Sequence, residues 1–204
     1  MKPTHIPSHP LRDPIDKNAR KWYNDRIKNN HRKDLQNMKN PKIQITVRDF
    51  GTMTAELYPA KAPKTVENFL SLIEKGFFSG MIFHRIIKGF MIQGGGFNES
   101  FEQIEADAIK GEFLANGFMD NDLRHTRGVL SMARTQDPNS ASSQFFIMHK
   151  DAPHLDAQYA GFGKLTDGFD VLDKIADVKT GRMGWYDDVP KTPVVIDQIE
   201  IIER

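Results

Sequence analysis

Past residue 40 the chain is built from short apolar runs, each closed by glycine, proline or a polar turn, and only two stretches carry a helical period. Ile43, Ile45 and Val47 alternate with polar residues, Arg48–Gly51 supplies a turn, and Met53, Ala55 and Leu57 alternate again. That pattern predicts a β-hairpin. Met81–Ile87, Phe90–Gln93, Val129–Ala133, Gln144–Met148, Tyr159–Leu165 and Pro193–Ile202 read as further strands. The clearest helix covers 63–75. Pro63 suits its first turn, Val66, Phe69, Leu70 and Ile73 form one apolar stripe, and Gly76 suits its end. A second helix begins near Asp167–Gly168 and buries Phe169, Leu172, Ile175 and Ala176. Many short strands with two helices predict a mainly β fold, a barrel or a sandwich. In the closed form no strand edge stays free and the helices plug the open ends. Residues 94–127 read as a long, partly looped connection.

A length of 204 residues and a hydrophobic fraction of 39 % suit one domain with a real core. The overall charge of +1 conceals a division: residues 1–40 carry +6 and the remainder −5. We therefore divide the chain into a basic N-terminal extension, 1–40, and a folded body, 41–204. Residues 1–12 read as extended or disordered. In 14–38, Trp22, Tyr23, Ile27, His31, Leu35 and Met38 fall near a helical period behind Asp13-Pro14. The extension is expected to be a polar helix, or a basic helix that docks on a partner. The near-neutral whole argues against nucleic acid as a partner. The chain has no cysteine, which removes disulfides and thiolate chemistry and suits a reducing compartment. With no long apolar run, neither a secretory signal nor a membrane span is expected, and the cytoplasm is the default location.

Familiar chemistries find no purchase. The seven histidines form no HExxH pair, and His149 and His154 with Asp151 and Asp156 lack a fixed third ligand, so no metal is expected. Ser131, Ser140, Ser142 and Ser143 sit in no nucleophile elbow. Gly94-Gly95-Gly96 is neither a phosphate loop nor a dinucleotide fingerprint, and Glu99, Glu102, Glu105 and Asp107 follow it. What stands out is Arg85, set in an apolar run. In a regular strand Phe83, Arg85 and Ile87 share one face, and Ile82, His84 and Ile86 the other. A charge among such neighbours needs a partner or a task. Gln93 and Gln144 likewise sit within apolar runs and call for hydrogen-bond partners. The glycines after Gln93 would let the backbone turn or approach a ligand closely.

Phe83-His84-Arg85 with Gly89-Phe90-Met91-Ile92-Gln93-Gly94-Gly95 resembles the signature of the cyclophilins, the peptidyl-prolyl cis-trans isomerases. Pro63–Phe69, Gly128–Ala133, Ser143–Ile147, His154-Leu155-Asp156 and Phe162-Gly163-Lys164 resemble further blocks of that family in the same order, so the likeness covers about 42–203. Its style is closest to the compact bacterial single-domain members. The resemblance implies an eight-stranded antiparallel β-barrel capped by two helices, with the active groove on the outer face and no cofactor. It implies Arg85, Gln93 and Phe90 as catalytic residues. Phe90, Met91, Phe146 and Leu155 would receive the proline ring, Gln93 and Gln144 would meet the peptide backbone, and Ala133 would line the groove. Arg134 stands where many members have an asparagine that acts through its backbone carbonyl.

The departures from that pattern carry their own expectations. His154 replaces a tryptophan that helps hold cyclosporin, so cyclosporin binding should be weakened. Tyr159 replaces a histidine low in the proline pocket. The acidic stretch Gly96–Asp107 replaces a Gly/Thr-rich loop, which should affect selectivity more than catalysis. The expected partners are proline-containing peptides and unfolded or partly folded proteins, handled by a monomer that assists folding. Two other roles stand beside this one: a proline-peptide binding module of the same fold, and a scaffold role carried by the extension.

Overall fold

The computed structural model describes residues 39–204, so the expectations for the N-terminal extension lie outside the described residues. Strands β1 (Lys42–Val47) and β2 (Gly51–Leu57) form the expected hairpin, followed by α1 (Pro63–Glu74), β3 (Met81–Ile87) and β4 (Met91–Asn98). Then come β5 (Val129–Met132), β6 (Phe145–Met148), β7 (Gly161–Asp167), α2 (Phe169–Ala176), β8 (Thr180–Met183), β9 (Tyr186–Pro190) and β10 (Val195–Glu203). Eight strands close into a barrel in the order β1-β10-β3-β4-β6-β5-β7-β2. Each pairing in the ring is antiparallel.

Alternation decides which side chains fill the barrel. Ile43, Ile45, Met53, Ala55 and Leu57 are completely buried, as the hairpin pattern requires. The centre is aromatic. Phe69 of α1 lies with its ring 4.9 Å from Phe78, 5.2 Å from Phe145 and 5.0 Å from Phe162. Val171, Leu172, Ile175 and Ala176 of α2 join the same core. Truncating Phe69 to alanine would cost about 3–5 kcal/mol.

The first turn of α1 has no local cap, because its N-cap position is Ala62. A carboxylate from far along the chain takes that role. Glu112, nearly fully buried, accepts the Thr65 N–H and hydroxyl through Oε2, both at 2.8 Å, and the Lys64 N–H through Oε1 at 3.1 Å. Negative charge at a helix N-terminus is favourable on electrostatic grounds as well. Residues 94–127 therefore do structural work. Gly94, Gly95 and Gly96 belong to β4, and Glu112 and Asn121 are buried polar anchors; the Asn121 amide donates to the carbonyls of Glu112 and Gly161.

Two segments differ from expectation. Gly94–Asn98 continues β4 instead of opening a loop. The glycines there allow close packing: a Cβ on Gly94 would lie 2.9 Å from Phe83 Cδ1, and one on Gly96 2.5 Å from the Gln144 side chain. Second, β8 and β9 pair into a hairpin outside the barrel.

Replacing Glu112 with alanine would leave three donors at the start of α1 without their acceptor. We expect a loss of about 2–4 kcal/mol in urea unfolding, and a smaller loss for Glu112→Gln, whose amide oxygen can still accept. Equal stability of all three proteins would refute this account of the cap.

Candidate active site

Strands β3, β4, β6 and β5 stand side by side, and their register aligns residues in rows. Phe83, Gly94, Phe145 and Met132 form one row, and Ile86, Ile92, Ile147 and Leu130 another. Both face the core. Between them runs the row Arg85, Gln93, Phe146 and Ser131, followed by Ile87, Met91 and Met148. These face outward, and Met91, Phe146 and Met148 join a separate apolar cluster with Val129, Ala152 and Leu155.

The regular-strand reading put Phe83 and Arg85 on one face, and the structure corrects it. Phe83 pairs with Gly94 and Arg85 with Gln93, so His84 is one extra residue on β3. This bulge shifts the alternation by one. Phe83 points into the core while Arg85 points out, its side chain 44 % exposed. Arg85 is thus a charge at the edge of an apolar patch, not a charge within one. Its Nε lies 3.8 Å from Oδ2 of Asp188, a residue held at φ +61° in β9.

A groove of about 490 Å³ gathers Arg85, Phe90, Met91, Gln93, Ala133, Arg134, Gln144, Phe146, Leu155 and Tyr159 on its walls. Of the residues singled out in the sequence, His154 alone stands beside the groove instead of lining it, its ring stacked on Phe90 at 5.7 Å and 26°. Gln93 Nε2 donates to Gln144 Oε1 at 3.1 Å, which fixes the two amides relative to each other. Arg134 brings its side chain to the groove. The guanidinium lies 4.6 Å from the Tyr159 ring centroid and 5.1 Å from that of Phe113, and donates to the carbonyls of Thr135 and Gln158.

Sequence reading missed the supports behind this surface. Beneath Phe146 lies the His125 ring, stacked at 6.1 Å, with Nδ1 3.2 Å from Asp156 Oδ1 and Nε2 2.9 Å from Ser131 Oγ. Burial pushes the His125 pKa down, against the pull of Asp156. The connectivity is that of a serine–histidine–aspartate relay, but Ser131 is fully buried and cannot meet a substrate. The relay holds the pocket floor. A second histidine holds the turn that carries Phe90. His149 Nδ1 accepts the Gly89 N–H at 2.9 Å, and Nε2 lies 3.1 Å from Asp173 Oδ1 on α2. The backbone N–H of His149 donates to the Phe90 carbonyl at 2.9 Å.

The remaining wall comes from His84 of the Phe83-His84-Arg85 signature, from Phe97 and Gln103 of the acidic stretch marked in the sequence, and from Tyr186 and Asp187, which the sequence did not mark. An apolar floor, two fixed amides and the exposed Arg85 guanidinium thus share one surface. Among the described residues no group of three His, Cys, Asp or Glu side chains could hold a metal ion.

The family model for cyclophilin type peptidyl-prolyl cis-trans isomerase/CLD matches residues 42–201. The chain belongs to this family. Among similar proteins, a peptidyl-prolyl cis-trans isomerase of Acinetobacter baylyi is 47 % identical over 159 residues, 75 % of this chain and 81 % of that one. Peptidyl-prolyl cis-trans isomerase B of Escherichia coli is 44 % identical over 162 residues, 75 % of this chain and 95 % of its own. A Cryptosporidium parvum cyclophilin solved in the presence of the dipeptide Ala-Pro superposes with a TM-score of 0.66 at 31 % identity, covering 80 % of this chain and 99 % of that one. This cyclophilin is accordingly a peptidyl-prolyl cis-trans isomerase. Among its described residues no helix is long and apolar enough to cross a membrane.

His84 lines the groove beside Arg85 without adding a charge to it. Its Nδ1 is buried without a partner, and the ring packs on Phe97 at 4.7 Å. Burial, helped by the neighbouring Arg85 charge, lowers its pKa from 6.5 to about 4. The ring therefore stays neutral at working pH and adds no second cation next to Arg85. Because the folded value lies below the ordinary one, the unfolded chain takes up this proton first as pH falls. The stability contribution is whole above about pH 6.5 and is lost between there and about pH 4. Compared by urea unfolding at pH 7 and 4.5, the wild type should lose about 2 kcal/mol more than His84→Asn. Parallel losses in the two proteins would contradict the neutral, buried state of His84.

Proposed function

We propose that Arg85 accelerates rotation about X–Pro bonds by stabilising the twisted transition state, while the Phe90–Met91–Phe146–Leu155 surface holds the proline ring. The observation that carries this reading is the outward row Arg85–Gln93–Phe146. Adjacent strands lie about 4.8 Å apart, so the guanidinium's strand and the aromatic floor's strand are roughly 10 Å apart. A long arginine side chain spans enough of that gap to meet a bond whose proline rests on the floor.

The physical requirement is modest and specific. A prolyl bond resists rotation by about 18–20 kcal/mol because its C–N bond has partial double-bond character. At the twisted geometry conjugation is lost, and the proline nitrogen becomes a better hydrogen-bond acceptor. A fixed cation directed at it stabilises that geometry more than either planar one, which is differential binding of the transition state. Arginine suits the task because it stays charged and presents a rigid fork of donors. Gln93 and Gln144, locked to each other, hold the peptide backbone, and Ala133, Arg134 and Tyr159 complete the walls. No proton has to move.

Substrates on this reading are proline-containing segments of unfolded or partly folded proteins, met by a monomer in a bacterial cytoplasm. The absence of cysteine throughout the chain fits a reducing compartment. Residues 1–40 are read as a separate basic extension ahead of the isomerase domain.

Cis-trans exchange on short X-Pro peptides, followed by NMR, tests the role of Arg85. Arg85→Ala should lower kcat/KM by about 10²–10³-fold, with Arg85→Lys between it and the wild type. Rates in H₂O and D₂O should agree closely. Equal rates for wild type and Arg85→Ala would leave only a peptide-binding module.

Cyclosporin binding tests the rim. His154 offers a smaller surface than the indole it stands in for, so His154→Trp should tighten cyclosporin several-fold in a calorimetric titration. Unchanged affinity would show that this position does not set inhibitor binding.

A further inference from the structure

The β8–β9 hairpin is outside the barrel, yet it supplies part of the groove wall through Tyr186 and Asp187. Its tip is apolar and open to solvent: Trp185 is 92 % exposed, Met183 48 % and Tyr186 45 %. Three large apolar side chains grouped on one exposed turn are what a contact surface presents, and tryptophan and tyrosine are the residues that most often dominate such surfaces. The hairpin does not hang free. The Tyr186 ring meets Phe97 at 5.5 Å and Phe101 at 5.4 Å, both edge-on, and those two rings stack at 4.8 Å. Phe97 itself lines the groove, so this aromatic group, although a separate apolar cluster from the Phe146 floor, borders the same cavity.

The charges around it are unevenly engaged. Glu99 is held by Arg48 at 3.1 Å, Glu102 takes the Asn98 amide, and Asp188 faces Arg85. Asp187 has only a loose contact with Arg182, 3.8 Å, between side chains 73 % and 65 % exposed. Arg182 in turn donates its Nε to the Gly184 carbonyl within the turn. The mouth of the groove thus offers a weakly engaged carboxylate next to two exposed aromatic rings. A lysine or arginine side chain fits both: its aliphatic stem lies on an aromatic face, its head group attracts the ring electrons, and the carboxylate takes the charge.

Resting on the isomerase reading, we propose that this hairpin is a second docking surface for the substrate chain, and that it selects a lysine or arginine near the isomerised proline. Catalysis remains with the Arg85 row. The hairpin adds recognition of a residue that does not itself react, and so it acts mainly on KM.

The test uses the full chain and peptides of one length in which Lys, Ala or Glu is placed in turn at each of three positions on either side of a single proline. At low salt one position should favour Lys over Glu by roughly tenfold in kcat/KM, carried by KM and reduced at high salt. Asp187→Asn and Trp185→Ala should each cut that ratio several-fold, and Asp187→Lys should reverse it. Titration of the wild type with the Lys and Glu peptides, read at the Trp185 indole N–H, should show the same order without any reference to turnover. The docking proposal is overturned if Lys, Ala and Glu peptides agree within twofold at every position and leave the indole signal alike. It also fails if the preference survives undiminished in all three variants. The isomerase reading fails separately, by an absence of catalysed exchange with every peptide, while the indole titration still decides the hairpin.

Discussion

Closure of eight strands into one ring is the constraint on which the rest of this molecule depends. It leaves no unpaired edge, and it sorts strand residues into those that fill the barrel and those that face away. The inside is fully committed to apolar packing around Phe69, Phe83, Phe145 and Phe162. Reactive chemistry therefore has to be assembled on the outside, and a row of aligned positions across neighbouring strands is the natural place for it. Arg85, Gln93 and Phe146 occupy such a row. The single extra residue in β3 is what puts the arginine into it. Without that bulge, Phe83 and Arg85 would compete for the same side of the sheet, and a guanidinium would have to enter an aromatic core at a cost of several kcal/mol.

The electrostatics follow from that placement. An exposed arginine is hydrated and inexpensive to maintain, but it needs orientation. Asp188 supplies a carboxylate 3.8 Å from Nε without closing a tight ion pair, so the guanidinium keeps donors to spare. His84, the next-door neighbour, could have added a second positive charge. Burial keeps it neutral, and its ring serves as part of the wall instead. Behind the floor, His125 and His149 act in the same spirit: one braces Phe146, the other the turn before Met91. Three of the body's histidines thus hold shape, and none is required to carry a proton.

Much of this was legible in the sequence, for local reasons. The hairpin of β1 and β2, the stripe of α1 and most of the strands rest on alternation and helical period, which operate over a few residues. The groove residues were legible through family resemblance, and ten of them meet on one surface. What escaped has a common physical character. A bulge leaves no mark on composition, so the face of Arg85 was misassigned. The cap of α1 comes from Glu112, 47 residues away, and no window that short-range patterns use could connect the two. The β8–β9 hairpin was missed because Thr180–Pro190 carries little alternation and is held by non-local aromatic contacts to Phe97 and Phe101. Gly94 and Gly96 looked like a loop, whereas they thin a strand so that Phe83 and Gln144 can pass.

These omissions bear on how such a site divides its tasks. Rotation about a prolyl bond involves no bond breaking between heavy atoms and no proton transfer, so the rate depends on how much better one geometry is held than another. In the proposed mechanism a floor, a pair of locked amides and one directed cation do this, and those parts are the ones that local pattern and family likeness reveal. Deciding which chain enters the groove is a different problem. On the docking proposal it depends on surface at the rim, where Asp187, Tyr186 and the acidic stretch that begins in β4 lie. Trp185, 92 % exposed, and Asp187, in loose contact with Arg182, can change without disturbing closure, core or the Arg85 row, whereas Asp188 faces Arg85, Tyr186 packs on Phe97 and Ala106 packs on the core. The fold can therefore keep one reaction fixed while its rim is free to select among substrates.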